Sequence, residues 1–163
     1  MLSFLKRKKN NKNTIELKAF VSGKVIPLEE VADEAFSSKI MGEGLAIQPE
    51  ENVISAPCNG TISVVMADTR HAVGMRLDNG AEILLHEGLD TVSMNGEGFE
   101  LFVQTGDKVK AGDKLLTFTP ELIREKGLDS TCVLLLTNSE DFPNAEFFSG
   151  MAAVQGVTII GEI

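Results

Sequence analysis

The chain contains two histidines, His71 and His86, and the turn-forming triplet Asp78-Asn79-Gly80 lies between them. Apolar runs on both sides of this triplet predict a β-hairpin, because such residues favour tight turns between strands. A loop of two or four residues places both imidazole rings on one face, directly or diagonally opposite each other. A three-residue loop places them on opposite faces, because the side chains of a strand alternate.

Two imidazoles on one face can act in three ways. One ring can carry a covalently attached group while the other hydrogen-bonds that group, both can bind a metal, or both can be ordinary packed residues. Other catalytic templates are absent from the sequence. The spacing of Gly106 and Gly112 does not fit a phosphate-binding loop, and no Gly-x-Ser-x-Gly elbow occurs. The histidine pair is therefore the candidate site.

Short strands separated by glycine-containing turns must position this pair. The apolar or β-branched runs are residues 60–66, 82–85, 115–119 and 133–137. This pattern predicts an all-β fold, an antiparallel sandwich with a barrel-like outline. Short helical turns are expected only at residues 120–126 and 28–35. Residues 20–27 resemble residues 56–64, which indicates an internal duplication.

Charge is unevenly distributed along the chain, whose net charge is −9. Residues 1–13 hold five basic and no acidic residues, so residues 14–163 carry 10 basic against 24 acidic groups, a net charge of −14. We predict a basic tail over 1–13 and a single domain over 14–163. The acidic body is unsuited to nucleic acid and suits a basic protein surface. The tail is either solvated or, through Leu2, Phe4 and Leu5, a weak anchor for an anionic membrane surface.

The two cysteines, Cys58 and Cys132, are too few for a disulfide framework and lack metal-ligand spacing. Both are expected to be small core residues. The sequence has no recognisable export signal and no apolar stretch of about 18 residues. We therefore expect a cytoplasmic protein, with peripheral contact at the inner membrane surface as the alternative.

Around the histidines the sequence resembles a known family, the glucose-type IIA proteins of the phosphoenolpyruvate-dependent sugar phosphotransferase system. The signature stretches are residues 69–74 (TRHAVG) and 84–92 (LLHEGLDTV). Supporting stretches are residues 36–49 (FSSKIMGEGLAIQP), 56–61 (APCNGT), 96–99 (GEGF) and 106–115 (GDKVKAGDKL). The resemblance implies a compact antiparallel β-sandwich with a duplicated motif, and a protein that relays phosphate during sugar uptake.

The resemblance also implies a role for each site residue. His86 would accept the phosphoryl group from the phosphocarrier protein HPr and pass it to a cysteine on the IIB domain of a sugar permease. His71 would hydrogen-bond the phosphoryl oxygens, and Thr69 would orient the His71 ring. The protein would therefore be a phosphotransferase component with a phosphohistidine intermediate.

An apolar rim would exclude water from this site and limit hydrolysis of the phosphohistidine. The residues that match the family's rim are Phe36, Ile40, Met41 and Val92, with Asp90 beside them; plain core packing is the alternative for the apolar four. No cofactor or structural metal is expected, because two histidines fall short of a closed zinc site. A transient zinc shared by His71 and His86 with a regulatory partner is implied by the family.

Some positions depart from the family pattern. Glu87 follows the active histidine, where the family usually has an apolar residue, and 131–133 read Thr-Cys-Val instead of Thr-Pro. A carboxylate beside His86 could raise the pKa of His86 or disfavour a dianionic phosphoryl group, which would impair the relay. In a regular strand, however, Glu87 points to the opposite face from His86. One alternative function is a regulatory binding protein that no longer relays phosphate. Another is a biotinyl- or lipoyl-like carrier, suggested by residues 106–113, although Lys39 lacks the context of an attachment lysine.

Overall fold

A computed structural model describes residues 14–163, and the basic segment 1–13 lies outside these described residues. The described chain consists mainly of short antiparallel strands. Its strands are β1 (Glu16–Lys18), β2 (Gly23–Pro27), β3 (Glu43–Pro49), β4 (Val53–Ser55), β5 (Gly60–Val65), β6 (Ala72–Arg76), β7 (Glu82–Glu87), β8 (Glu100–Leu101), β9 (Lys108–Val109), β10 (Lys114–Thr117), β11 (Cys132–Leu136), β12 (Glu146–Phe147), β13 (Ala152–Ala153) and β14 (Ile159–Glu162).

These strands form three sheets in which every pair is antiparallel. The largest sheet has eight strands in the order β13-β2-β3-β11-β7-β6-β5-β9, and two three-stranded sheets have the orders β1-β14-β12 and β4-β10-β8. Among the described strands the large sheet does not close on itself. The expected antiparallel all-β architecture is confirmed, in an open form without a closed barrel.

The large sheet has apolar residues on both faces. A large core that includes Leu85 and Leu134 covers one face, and a smaller cluster that includes Phe36, Val133 and Leu135 covers the other. All five residues of β11 are buried because this strand lies between β3 and β7 and is covered on both sides. Its continuous apolar run is the pattern expected of such a strand. Cys58 and Cys132 are both buried and free, as predicted.

Two short α-helices occur in the described part of the chain, α1 (Glu34–Ser37) and α2 (Pro120–Glu125). The second begins with proline in its first turn, as the sequence indicates. The predicted turn at 28–35 is divided into a 3₁₀ turn, Leu28–Glu30, and the start of α1. The Asp33 side chain caps α1 by accepting a 3.0 Å hydrogen bond from the Ala35 N–H.

No helix among residues 14–163 is long and apolar enough to cross a membrane. The starts of the two proposed repeats, residues 20–27 and 56–64, lead into β2 and β5, which both belong to the large sheet. The duplication itself and the domain boundary at residue 14 stay predictions.

Candidate functional site

The hairpin that carries the histidines is formed by β6 and β7, with Ala72 opposite His86 and Arg76 opposite Glu82. The Leu77 N–H also bonds the Ala81 carbonyl, so the loop consists of the three residues Asp78-Asn79-Gly80. The expected loop of two or four residues is therefore wrong. Strict alternation in this register would place the two rings on opposite faces.

The rings nevertheless meet because His71 lies just outside strand β6. Arg70, which precedes it, has a left-handed φ of 56°, and its N–H bonds the Met66 carbonyl at 2.6 Å. The His71 side chain is thus placed by a turn and not by the alternation of the strand. The ring centroids of His71 and His86 are 4.7 Å apart, with an edge-to-face angle of 86°.

Thr69 lies beside this pair, with its Oγ1 2.8 Å from Nδ1 of His71. His71 is buried, and His86 is half-buried with its Nδ1 enclosed by the protein. The edge of the His86 ring that faces outward is therefore the one that carries Nε2. The structure brings together the three residues that the sequence analysis assigns to the chemistry.

Burial keeps both imidazoles neutral. Desolvation, followed by the neighbouring His71, lowers the pKa of His86 to about 4, although Asp33 and the Gly88 backbone act in the opposite direction. Desolvation also lowers the pKa of His71. A neutral imidazole has one nitrogen with a free lone pair. At physiological pH the pair can therefore supply a nucleophilic nitrogen and a hydrogen-bond donor.

The bond between Thr69 and His71 has two possible directions, and only one suits an anionic group. If Nδ1 of His71 accepts from the Thr69 hydroxyl, the proton of the neutral ring lies on Nε2. That N–H can then donate to an oxygen of a group attached to His86. In the reverse direction a neutral His71 presents a lone pair, which repels such an oxygen.

The histidines open into a shallow depression of about 660 Å³. Of the predicted rim residues, Phe36, Met41, Asp90 and Val92 line it, whereas Ile40 does not. Phe36 is both rim and core: it is 4% exposed, and its ring centroid is 5.1 Å from that of His86. The exposed large apolar side chains of the rim region include Ile40, Met41, Val92 and Met66.

Several residues of the depression were not identified from the sequence. They are Asp33, Ala35, Val65, Met66, Ala67 and Asp68. The segment 65–68 directly precedes Thr69, so its proximity in sequence was the available signal. Asp33 reaches the site through α1, which also carries Phe36. Asp33, Asp68 and Asp90 give the edge of this depression an acidic character.

Glu87 points to the face of β7 opposite to His86, as alternation predicts. It lies opposite Cys132 of β11 and is completely buried. Burial raises the pKa of Glu87 to about 8 and raises the pKa of the Cys132 thiol well above its ordinary value. Glu87 is therefore mainly a neutral carboxylic acid at pH 7, and it does not enter the depression.

Within residues 14–163 no group of three or more histidine, cysteine or carboxylate side chains could hold a metal ion. His71 and His86 supply two of the four ligands that zinc usually takes. A larger depression, about 850 Å³, surrounds Asn79 at the far end of the hairpin and contains no histidine. The histidine depression is therefore the candidate site.

A neutral, half-buried imidazole next to a second imidazole, on an open β-sandwich with an apolar rim, suits the class of proteins that transfer a small anionic group. The comparisons with known proteins agree. Residues 15–142 match the family model described as phosphoenolpyruvate-dependent sugar phosphotransferase system, EIIA 1. The chain belongs to this family and is a phosphotransferase component of the phosphoryl relay in sugar uptake.

Individual relatives support the assignment. The chain is 43% identical over 155 residues to the glucose-specific EIIA component of Bacillus cereus, covering 95% of this chain and 92% of the relative. It is 40% identical over 146 residues to the mannose-specific EIIBCA component of Corynebacterium glutamicum, covering 90% of this chain and 21% of that longer protein. Among solved structures, glucose permease IIA from Mycoplasma capricolum matches with a TM-score of 0.80 and 34% identity, covering 91% and 95% of the two chains.

Proposed function

We propose that His86 carries the phosphoryl group on Nε2 between phosphorylated HPr and a cysteine of a permease IIB domain. The observation that carries this proposal is the pair of neutral rings with centroids 4.7 Å apart, of which only the His86 ring is half-exposed. Nδ1 of His86 is enclosed. The attacking lone pair is therefore that of Nε2.

In the first step the lone pair of His86 Nε2 forms a bond to phosphorus, and the bond between phosphorus and the donor breaks. The electron pair of the broken bond leaves with the donor. In the second step a cysteine thiolate of the IIB domain bonds to phosphorus, and the phosphorus–nitrogen electron pair returns to Nε2. The His86 proton stays on Nδ1 throughout, so the transfer needs no external base.

His71 stabilises the charge that spreads over the phosphoryl oxygens by donating its Nε2–H. Such transfers depend mainly on positioning and electrostatic stabilisation. Thr69 donates to Nδ1 of His71 and so selects the required tautomer. The apolar rim of Met41 and Val92 excludes water when a partner docks, which protects the phosphohistidine from hydrolysis.

The partners fit the charge of the surface and the organisation of the relatives. Asp33, Asp68 and Asp90 at the edge of the depression favour a basic partner surface, and electrostatic steering gives fast, salt-sensitive encounters. One relative is named as an EIIBCA component, which supports a IIB domain as acceptor. The names of other relatives support glucose as the transported sugar. A cytoplasmic location and a transient zinc at His71 and His86 remain predictions.

The geometry gives little support to the two alternative functions, a regulatory binding protein and a biotinyl- or lipoyl-like carrier. The regulatory alternative depends on Glu87 disturbing His86, but Glu87 lies on the opposite face of β7. The carrier alternative needs a free lysine in a tight turn. Lys39 instead forms ion pairs with Glu29 at 2.5 Å and Glu43 at 3.3 Å.

The test is phosphate transfer from phosphoenolpyruvate through the general enzymes of the system, read by intact mass at alkaline pH. We expect no labelling of His86→Ala, and labelling of His71→Ala about 100-fold slower, since one donor to a developing anion is lost. The Bacillus cereus relative serves as a positive control for the donor proteins. An unlabelled wild-type chain beside a labelled control, or a labelled His86→Ala, would refute the proposal.

A further inference from the structure

The backbone turns sharply directly after His86. Gly88 and Asp90 both have left-handed φ values, 80° and 59°, and a 3₁₀ turn, Thr91–Met94, follows. A non-glycine residue rarely adopts such a φ without support from its surroundings. Two residues outside the depression, Thr91 and Asp129, provide this support.

Thr91 stabilises the turn through its buried side chain. Its side chain is completely buried, and its Oγ1 donates a 2.6 Å hydrogen bond to the Glu87 carbonyl. Its methyl group packs against Gly88, where an added Cβ would lie 2.4 Å from Cγ2 of Thr91. The hydroxyl therefore supplies the bond that closes the turn, and the methyl group fills the space beside Gly88.

Asp129 stabilises the same turn from the neighbouring loop. Its Oδ1 accepts hydrogen bonds from the N–H of Thr131 at 2.8 Å and from the hydroxyl of Thr131 at 2.6 Å. This Asx-type turn fixes two carbonyls: that of Thr131 accepts the Gly88 N–H at 3.0 Å, and that of Asp129 accepts the Leu89 N–H at 2.8 Å.

The segment that these bonds hold, residues 87–89, contacts both histidines. The Glu87 N–H donates a 2.7 Å hydrogen bond to the His71 carbonyl. The Gly88 backbone lies against the His86 ring and favours its protonated form. Nδ1 of His86 is enclosed there. The shape of residues 87–89 therefore determines which edge of the His86 ring faces the depression and how far it is from His71.

We propose that Thr91 and Asp129 are positioning residues for phosphoryl transfer: they hold the backbone after His86 so that Nδ1 stays enclosed and Nε2 faces the incoming phosphorus. The inference rests on the proposed function of His86. A buried neutral hydrogen bond changes the folding equilibrium by only about 5-fold. A displacement of about 1 Å at a reacting atom can cost on the order of 100-fold in rate. The effect on transfer should therefore exceed the effect on folding.

The test compares Thr91→Val, which removes the hydroxyl at nearly constant volume, with Thr91→Ser, which retains it. Thr137→Val is the matched control, because the Thr137 hydroxyl also donates to a carbonyl of β7, that of Glu82 at 3.2 Å, at the end remote from His86. Phosphorylation by HPr is measured at several donor concentrations. The tautomer of His86 is read from the ¹⁵N shifts of its ring.

We expect Thr91→Val to lower the maximal rate by about 10-fold or more at unchanged half-saturation and to shift the His86 tautomer. Thr91→Ser should restore the rate to within about 3-fold of the wild type, and Thr137→Val should match the wild type. A Thr91→Val protein with the wild-type rate and tautomer would overturn the inference, as would Thr91→Ser behaving like Thr91→Val.

Asp129→Ala and Asp129→Asn form a second pair of variants, which tests the positioning role if Thr91→Val does not fold. Asparagine keeps an Oδ1 acceptor for Thr131, so it should retain the rate that alanine loses. Equal rates for the two Asp129 variants would count against the inference. Failure of the proposed function is recognised separately, because the wild-type chain itself would then remain unlabelled.

Discussion

The buried carboxyl of Glu87 makes the stability of this protein depend on pH in an unusual direction. Its pKa rises from 4.5 to about 8 on folding because burial disfavours the charged form, an effect that outweighs the opposing influence of the neighbouring Cys132 thiol. Between these values the folded chain holds a proton that the unfolded chain releases. The free energy of unfolding should therefore fall as the pH rises from about 4.5 to about 8.

The perturbation is Glu87→Gln, which keeps the size and polarity of the side chain and removes its titration. Each pH unit above 4.5 costs about 1.4 kcal/mol, so the carboxyl costs about 3 kcal/mol at pH 7 and approaches 5 kcal/mol above pH 8. The glutamine variant should thus equal the wild type near pH 4.5 and exceed its stability by about 3 kcal/mol at pH 7.

The assay is urea unfolding of both proteins at several pH values between 4.5 and 8.5, with the difference in unfolding free energy plotted against pH. Both histidines titrate equally in the two proteins and cancel from this difference. Glu100→Gln, the same change at an exposed strand residue, is the control for the loss of one carboxyl group. A difference that does not vary with pH would refute the reasoning, because it would mean that Glu87 remains charged in the fold.

Three further predictions concern the site. The His86 ring should titrate near pH 4 by NMR, and a midpoint near 6.5 would contradict its burial. Because the unfolded chain binds this proton at a higher pH than the folded chain does, the free energy of unfolding should fall as the pH is lowered from 6.5 toward 4. Thr69→Val should slow phosphoryl transfer by about 10-fold by releasing the His71 tautomer, with Thr69→Ser close to the wild type; equal rates for both variants would exclude this role. Lys substitutions at the exposed Ile40 or Val92 should raise the donor concentration for half-saturation by about 10-fold, at an unchanged maximal rate and unfolding midpoint; wild-type half-saturation would remove these residues from the docking surface.

Much of the site could be predicted from local sequence. The turn triplet 78–80 placed His71 and His86 on one hairpin, and alternation along β7 correctly directed Glu87 away from His86. The register could not be predicted, because two-, three- and four-residue loops all suit this triplet. The left-handed backbone conformation of Arg70 brings the two rings together in the observed register, and no sequence pattern indicates that conformation.

The remaining site residues depend on tertiary structure. Asp33 reaches the depression because α1 packs over the smaller apolar cluster, a contact that local sequence patterns do not report. Phe36 was expected to be either rim or core, and it is both, because a single ring covers the sheet and touches His86. The role of Thr91 rests on a bond to a residue four positions earlier in a turn whose geometry the sequence does not specify.

The single depression over His86 also constrains the kinetics of the relay. His86 lies in β7, an inner strand of the eight-stranded sheet, so it cannot swing from one partner toward another. With His86 as the proposed phosphoryl carrier, donor and acceptor should therefore occupy the same surface in turn. A steady-state assay should show a ping-pong pattern. An excess of the proposed donor, unphosphorylated HPr, should then inhibit the second transfer competitively against the proposed IIB acceptor.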